Sequence, residues 1–469
     1  MNPQFIIEAT DFAAALLFIL GLKRMSSPVT ARSGIVVAGW GVLVATLASF
    51  LYVFGIAPAA QPRLGVNLGL GIAALAIGCG WAWWSGQRVA MTAMPQMVAL
   101  YNGMGGGAAA CIAAVELCSG EAHAASRLVI TLLGALIGSV SLSGSLIAWA
   151  KLDGKINKTL HLAGQQAINT AVLAATVAVG VYIVAATGGE SSAALTIVFF
   201  VGALAFGILM TLPIGGADMP VVISLYNAFT GLAVGMEGYV LQKPVLMIAG
   251  VVVGAAGTLL TLVMARAMNR SVSNVLFSRF GVTESGGGEI KGSMKPVEAS
   301  DAAVAMRYAR KVLIIPGYGL AVAQAQYKLY EFVKLLQAAG VEVKFAVHPV
   351  AGRMPGHMDV LLAEAGVPYD MMHELEEINE EFQNADVALV IGANDVVNPA
   401  ARSDKSSPIY GMPILNADQA QQVYVIKRGQ GKGYSGVENE LFFADNTSMV
   451  YGDAQQVLAK FIAAVKELG

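Results

Sequence analysis

The stretch LIIPGYGLAVAQAQYKLYEF, residues Leu313–Phe332, decides the fold of the C-terminal part of the chain. A short apolar run ends at a turn with two glycines, Gly317 and Gly319, and an amphipathic helical pattern follows. This order is typical of α/β sheets in which a helix N-terminus faces the phosphates of a nucleotide. Val322 stands where a third glycine is usual, so the turn alone also fits a purely structural role.

Further apolar runs on either side of this stretch alternate with helical segments. They predict strands at 311–316, 341–347, 386–391 and 423–427. Such alternation favours a Rossmann-like α/β domain with a parallel sheet covered on both faces. We assign it to residues 302–469, and we assign residues 271–301, which are rich in glycine, serine and charge, to a linker.

The part of the chain before this linker has the composition of a membrane protein. The whole chain is 56% hydrophobic and 13% charged, with a mean hydropathy of +0.63. A bilayer core of about 30 Å needs about 20 apolar residues per helix. On that measure residues 1–270 form a transmembrane domain of about nine helices. The predicted spans are 4–22, 34–56, 65–84, 95–118, 128–150, 164–187, 194–212, 219–241 and 244–266.

Basic residues are concentrated in alternate connections between these spans, for example at Lys23, Arg24, Lys151 and Arg266. By the positive-inside rule the C-terminal domain is then cytoplasmic and the N-terminus lies outside. A net charge of -2 and the lack of a long basic run exclude nucleic acid as a partner. The three cysteines lie in apolar segments without ligand spacing, so no metal site is expected.

Several polar residues fall inside predicted spans, where each costs free energy unless it finds a partner or water. Asn102, Ser145, Asn169 and Asn227 are therefore candidates for a functional path, with Asp218 at the cytoplasmic end of the eighth span. A structural hydrogen bond between helices is the alternative for each of them. Glu116 and Glu237 are expected near the outer surface, where ordinary hydration suffices.

Cations rather than acids follow the strands of the predicted sheet. The second strand has no acidic residue at its end to accept a bond from a ribose 2′-hydroxyl, as NAD sites usually have. Lys427 and Arg428 follow the fourth predicted strand, and a guanidinium suits a 2′-phosphate. These features favour NADP over NAD, and the alternative is a solvated strand end with two ordinary surface cations.

Five longer stretches together resemble one family, the beta subunit of the proton-translocating NAD(P) transhydrogenase. They are IPGYGLAVAQAQ, HPVAGRMPGHMDVLLAEAGVPYD, VIGANDVVNPAA, GMPILNADQAQQVYVIKRGQGKGYSGVENELFF and, in the membrane part, GGADMPVVISLYNAF. The resemblance implies that NADPH is made from NADH while protons move inward across the bacterial cytoplasmic membrane. It also implies direct hydride transfer between NADP(H) on this chain and NAD(H) on an alpha subunit, with no catalytic side chain. The alpha subunit would supply further helices, in a dimer of alpha-beta units surrounded by lipid.

The resemblance also assigns site residues. Tyr318 and residues 350–353 would surround the phosphates and nicotinamide, Lys427 and Arg428 would hold the 2′-phosphate, and Tyr434 would belong to a lid. The full set expected at the cofactor is Gly317, Tyr318, Gly319, Val322, Val350, Ala351, Gly352, Arg353, Gly392, Ala393, Asn394, Asp395, Gly411, Met412, Lys427, Arg428, Gly429, Gly433, Tyr434, Asp453 and Ala454. The proton path would contain Asn102, Ser145, Asp218 and Asn227.

One position departs from the family pattern. Asn102 stands where many members carry a histidine, and asparagine cannot titrate near neutral pH. The titrating group near mid-membrane is therefore expected from the alpha subunit. Two other functions remain open from the residues alone: a secondary transporter regulated by a cytoplasmic NADP-sensing domain, and, more remotely, a nucleotide-gated channel.

Overall fold

A computed structural model describes most of the chain. The described residues are 3–55, 63–118, 124–156, 162–187, 193–215, 218–269, 271–277, 292–354, 356–405, 407, 409–429 and 437–468. They divide into two compact units. One unit comprises Met1–Pro213 with Ile223–Leu259, and the other comprises Ile214–Val222 with Leu260–Gly469.

Long helices fill the N-terminal part of the described chain. They are α1 Pro3–Met25, α2 Pro28–Gly55, α3 Leu64–Arg88, α4 Met94–Cys118, α5 Ala125–Leu152, α6 Gln165–Thr187, α7 Ala193–Thr211, α8 Met219–Val240 and α9 Pro244–Ala267. Eight of them, α2 to α9, are long and apolar enough to cross a membrane. The first predicted span falls on α1, whose described part also carries Glu8, Asp11, Lys23 and Arg24. The prediction of a multi-span membrane protein is confirmed.

Glycines allow these helices to approach one another closely. A Cβ atom on Gly106 of α4 would lie 2.9 Å from the backbone oxygen of Gly138 on α5. A Cβ on Gly257 of α9 would lie 2.7 Å from the backbone nitrogen of Ala228 on α8. Small residues at such crossings let dispersion forces and interhelical hydrogen bonds act where lipid leaves no hydrophobic driving force.

The described residues of the C-terminal domain form seven parallel strands in one sheet. They are β1 Lys295–Pro296, β2 Lys311–Pro316, β3 Glu342–Val347, β4 Met372–Glu374, β5 Val387–Ile391, β6 Gln422–Lys427 and β7 Thr447–Tyr451. Their order in the sheet is β1-β7-β6-β5-β2-β3-β4. The Rossmann-like parallel sheet is thereby confirmed, with β2 and β5 adjacent at the point where the strand order reverses.

Helices connect and cover the strands. They are α10 Val272–Phe277, α11 Ala299–Arg307, α12 Tyr318–Val322, α13 Gln326–Ala338, α14 His357–Glu364, α15 Leu375–Ile378, α16 Ala400–Ser403 and α17 Ala454–Glu467. Consecutive β2 residues such as Leu313 and Ile314 are both fully buried, which requires cover on both faces of the sheet. On one face α13 packs against α17, where the rings of Phe332 and Phe461 lie 5.2 Å apart.

The segment predicted as a linker, 271–301, has regular structure at both ends. α10 occupies its first residues, and β1 pairs in parallel with β7, with Lys295 opposite Ser448. Helix α11 begins at Ala299. Residues 278–291, the glycine-rich centre of the predicted linker, lie outside the described residues.

Candidate functional site

The glycine turn after β2 packs against the turn after β5. The N–H of Gly317 donates to the carbonyl of Ile391 at 2.9 Å, and the N–H of Gly319 donates to the carbonyl of Gly392 at 3.0 Å. A Cβ on Gly319 would lie 2.6 Å from the Cα of Gly392, which itself has a φ of +67°. Glycine is thus needed here because two backbones touch, and the N–H groups of Gly317 and Gly319 both bond to backbone carbonyls.

A cation lies beside this turn. The Arg353 guanidinium carbon is 4.4 Å from the centre of the Tyr318 ring, and that ring lies 6.1 Å from the ring of His357. The N–H of Arg353 donates to His357 Nδ1 at 3.1 Å. Gly352 has a φ of +107°, and a Cβ there would lie 2.7 Å from the Cβ of His357. The fully buried His357 therefore shapes the loop after β3 and places Arg353 over Tyr318.

His348, at the end of β3, links two parts of the predicted site. Its Nδ1 accepts a bond from the N–H of Val350 at 3.2 Å, so Nε2 carries the proton and donates to the carbonyl of Pro413 at 2.8 Å. Burial lowers the pKa of His348 to about 4, although the bond to Pro413 opposes this shift. The neutral imidazole thereby ties Val350 to the segment that contains Gly411 and Met412.

Two buried asparagines hold the turn after β5. Asn439 Nδ2 donates to the backbone carbonyl of Asn394 at 2.9 Å, and its Oδ1 accepts the N–H of Leu441 at 3.0 Å. Asn398 Nδ2 donates to the carbonyl of Glu438 at 3.0 Å. These bonds anchor the chain immediately after the predicted lid. Gly433 and Tyr434, the lid residues themselves, lie outside the described residues.

The two cations at the end of β6, Lys427 and Arg428, have different surroundings. Lys427 Nζ lies 4.5 Å from the centre of the Phe442 ring, and desolvation lowers the pKa of this half-buried amine. Arg428 and Gly429 are exposed. A ligand phosphate can reach the Arg428 guanidinium without displacing a protein contact that the structure shows.

The remaining predicted residues lie at the same edge or cap its helices. In a parallel sheet all strand ends of one kind meet at one edge, and Gly317, Val350, Gly392, Arg428 and Asp453 each follow a different strand. Asp453 caps α17 by accepting the N–H of Gln455 at 3.0 Å, next to the buried Ala454. The other members are Val322, which is 42% exposed at the end of α12, the buried Ala351, Ala393 and Met412, the half-buried Asp395, and Gly411 with a φ of +77°.

A line of polar contacts joins α4, α5 and α8 inside the membrane part. Asn102 Nδ2 donates to Ser145 Oγ at 3.2 Å, and Thr230 Oγ1 donates to the carbonyl of Asn102 at 3.3 Å. Ser141 Oγ lies 3.0 Å from the Tyr226 carbonyl and 2.6 Å from Thr230 Oγ1. We call Asn102, Ser141, Ser145, Tyr226 and Thr230 the polar seam. The sequence singled out Asn102 and Ser145, and it missed the hydroxyl groups of Ser141 and Thr230 and the backbone carbonyl of Tyr226.

The other two predicted path residues are Asn227 and Asp218. Asn227 is half-buried on α8 and makes no hydrogen bond with any described residue. Asp218 directly precedes α8 and is 2% exposed, and its N–H donates to the carbonyl of Gly215 at 3.2 Å. Asn169 accepts a bond from Gln165 of its own helix at 2.9 Å, and Gln165 also donates to the Leu209 carbonyl of α7 at 3.0 Å.

The two parts of the chain also match one family of known proteins. The family model for the NAD(P) transhydrogenase beta subunit matches residues 7–464. The NAD(P) transhydrogenase subunit beta of Rhodospirillum rubrum is 45% identical over 470 residues, which cover 97% of this chain and 98% of the relative. A second protein of that name, from a defined strain of the same organism, gives the same values. Since both matches run through the membrane helices and the sheet domain alike, this chain belongs to the NAD(P) transhydrogenase beta subunit family.

Proposed function

We propose that this chain binds NADP(H) at the carboxyl edge of its sheet and exchanges hydride with NAD(H) held by an alpha subunit. The membrane helices would couple this exchange to proton movement. The observation that carries the proposal is the exposed Arg428 guanidinium at an edge where residues after five separate strands meet. A planar guanidinium binds a phosphate through two parallel N–H donors, so it fits the 2′-phosphate that distinguishes NADP from NAD.

The protein's part in hydride transfer is positional. The bound nicotinamides supply the redox chemistry, and the protein orients them at contact distance and keeps water out. Arg353 lies over Tyr318, and its backbone N–H donates to His357. These contacts would hold the positive charge of the Arg353 guanidinium next to the cofactor. The buried bonds of His348 and Asn439 would keep the surrounding loops in one arrangement. No acid or base of this chain needs to take part in the transfer.

Energetics favour the coupling of hydride transfer to proton movement. We propose that the N-terminus lies outside, that the sheet domain is cytoplasmic, and that protons move inward as NADPH forms. One charge moved through 100 mV is worth about 2.3 kcal/mol, or roughly fiftyfold in an equilibrium ratio. Such coupling would keep NADP strongly reduced. We place the complex in the bacterial cytoplasmic membrane as a dimer of alpha-beta units surrounded by lipid.

The decisive experiment uses sealed vesicles that contain this chain with its alpha subunit. NADPH-dependent reduction of an NAD analogue should acidify the lumen, and an uncoupler should abolish the acidification while hydride transfer continues. The chain without an alpha subunit should show no turnover, because its described part offers one dinucleotide edge. Transport of a solute under NADP control without hydride transfer would instead favour a regulated transporter.

A further inference from the structure

A carboxyl group lies buried on α8 without a partner. The Glu237 side chain is 1% exposed, and neither of its oxygens forms a hydrogen bond with the described residues. The expectation that ordinary hydration satisfies Glu237 is therefore wrong. An ionised carboxylate without a partner is very costly away from water, whereas a protonated one costs much less.

The surroundings of Glu237 are built to hold this side chain. Its Oε1 lies where a Cβ on Gly134 of α5 would be, so the carboxyl group packs directly against α5 at this glycine. Glu116 at the end of α4 is the charged group that acts on Glu237, and Glu116 is already paired with Arg127 of α5. No described cation faces the carboxyl group. Glu121 and His123, in the connection from α4 to α5, lie outside the described residues.

Glu237 continues the line of the polar seam. On α8 the spacings from Tyr226 to Thr230 and from Thr230 to Glu237 are four and seven residues, which places all three on one helix face. On α5 the facing positions are Ser141 and Gly134, which are likewise seven residues apart. Two helical turns, about 11 Å, therefore separate Thr230 from Glu237 along α8. Glu237 lies toward the end of α8 that is opposite to Asp218.

We propose that Glu237 is a proton-binding residue of the transport path, exchanging protons between the polar seam and the side of the membrane opposite Asp218. This inference rests on the proposed function. In each cycle one O–H bond forms at the carboxylate when a proton arrives from that side. The same bond breaks when the proton passes to water in the polar seam, so the side chain returns to its starting state. The chain then has a titrating group of its own within a span.

The test compares three variants of the alpha-beta complex in sealed vesicles: Glu237→Gln, Glu237→Asp and, as a matched control, Glu8→Gln. Glu8 is an exposed carboxyl group of α1. Glu237→Gln keeps the shape but cannot release a proton, so coupled proton movement should fall about a hundredfold or more. Glu237→Asp should retain part of the pumping with a displaced pH profile, and Glu8→Gln should pump normally.

Infrared spectroscopy of the complex gives a second readout, independent of turnover. The wild type should show a protonated carboxylic acid band that Glu237→Gln lacks and Glu237→Asp shifts. If Glu237→Gln does not assemble, the band and pH profile of Glu237→Asp decide alone. Normal pumping by Glu237→Gln, or a Glu237→Asp complex with an unchanged band and pH profile, overturns the proposal. Absence of hydride transfer in the wild type would instead refute the proposed function.

Discussion

At the scale of single residues, the candidate site contains two kinds of group. Exposed charged groups are accessible to a ligand, and buried polar groups hold the surrounding loops in place. Arg428 is exposed after β6, whereas the neighbouring Lys427 packs its amine on Phe442 and is partly desolvated. His348 and Asn439 are almost completely buried and bond to backbone groups. Substitution should therefore affect affinity at the first kind of residue and stability at the second.

Arg428→Ala should weaken NADP(H) binding while leaving the weaker binding of NAD(H) unchanged, because only NADP carries the 2′-phosphate. The loss of a charge-assisted bond corresponds to about 1.5 to 3 kcal/mol. This equals roughly a tenfold to hundredfold change in dissociation constant. Calorimetric titration of a soluble fragment that contains residues 292–469 measures it, with Lys460→Ala, an exposed cation of α17, as the control. Equal weakening for both cofactors would exclude a 2′-phosphate role.

His348 should make the sheet domain less stable in mild acid. Its pKa is lowered to about 4 in the folded protein from the ordinary value of 6.5, so the unfolded chain binds the proton first as the pH falls. The stabilisation that comes from this pKa difference is fully present above the pKa of the unfolded chain. It is lost as the pH falls from that pKa to the pKa of the folded protein. About 2 kcal/mol of the free energy of unfolding should disappear between about pH 7 and about pH 5. Urea unfolding at several pH values measures the loss.

His348→Gln is the matched variant for that experiment. Its side-chain N–H can still donate to the Pro413 carbonyl, but it does not titrate. The two proteins are compared by the slope of their free energy of unfolding against pH. The difference between the slopes separates the contribution of His348 from that of the carboxylates, which also titrate in acid. Identical slopes would mean that His348 is accessible to protons in the folded domain.

At the scale of elements, burial decided which strands could be recognised from the sequence. β2, β5 and β6 were predicted because each contains four or five consecutive apolar residues, and β3 because Phe345, Ala346 and Val347 form a shorter apolar run. β1 has two exposed residues, Lys295 and Pro296, and β4 has three residues at the sheet edge, so neither produces an apolar run. β7 was missed because its sequence, TSMVY, mixes polar and apolar residues. Pairing with the neighbouring strands, rather than the strand propensity of their own residues, accounts for β1, β4 and β7.

The glycine turn was recognised as an element, and the structure shows a reason for its glycines that the sequence had left open as the alternative. The sequence favoured close approach of a phosphate, and the structure shows contact between the backbones after β2 and β5. A sequence pattern cannot distinguish these causes, because both demand a residue without a Cβ. The partner of the turn, Gly392, is 73 residues farther along the chain than Gly319.

Gly317→Ala should therefore destabilise the domain even without cofactor. The added methyl group would overlap the backbone of Gly392 and Ala393, and such overpacking costs about 1 to 3 kcal/mol or more. Urea unfolding of the cofactor-free fragment measures this loss, with Val322→Ala at the exposed end of α12 as the control. An unchanged free energy of unfolding, together with weaker NADP(H) binding, would instead indicate that Gly317 is needed for close approach of the cofactor phosphate.

At the scale of the whole molecule, composition separated the membrane part from the soluble part, and the resemblance supplied the cofactor and the partner. The contacts of the polar seam could not be predicted, because serine and threonine are common in membrane helices and their partners lie on other helices. Ser141 of α5, for example, meets Tyr226 and Thr230 of α8 more than 80 residues away along the chain. The burial of Glu237 could not be predicted for the same reason, because it depends on contact with α5, which lies far away along the chain.

Asp218→Asn should abolish proton pumping and slow coupled hydride transfer in vesicles. We expect this because Asp218 lies at the start of α8, where it would exchange protons with the cytoplasm. NADP(H) binding to the separate sheet fragment should be unaffected, since that fragment lacks Asp218. Asp153→Asn, an exposed carboxyl group after α5, is the control. A normal rate of lumen acidification with Asp218→Asn would leave this residue a structural role only.

The pairing of β1 with β7 has a mechanical consequence. Along the chain, the connection from the membrane helices to the sheet enters through β1, which has two residues and contains Pro296 without an N–H. Tension on this connection would load the β1–β7 pairing first, where the N–H of Val297 donates to the Met449 carbonyl at 3.0 Å and Lys295 is paired with Asp445. The edge strand β1 would thus separate from β7 before any strain reached β2 and β5 at the centre of the sheet.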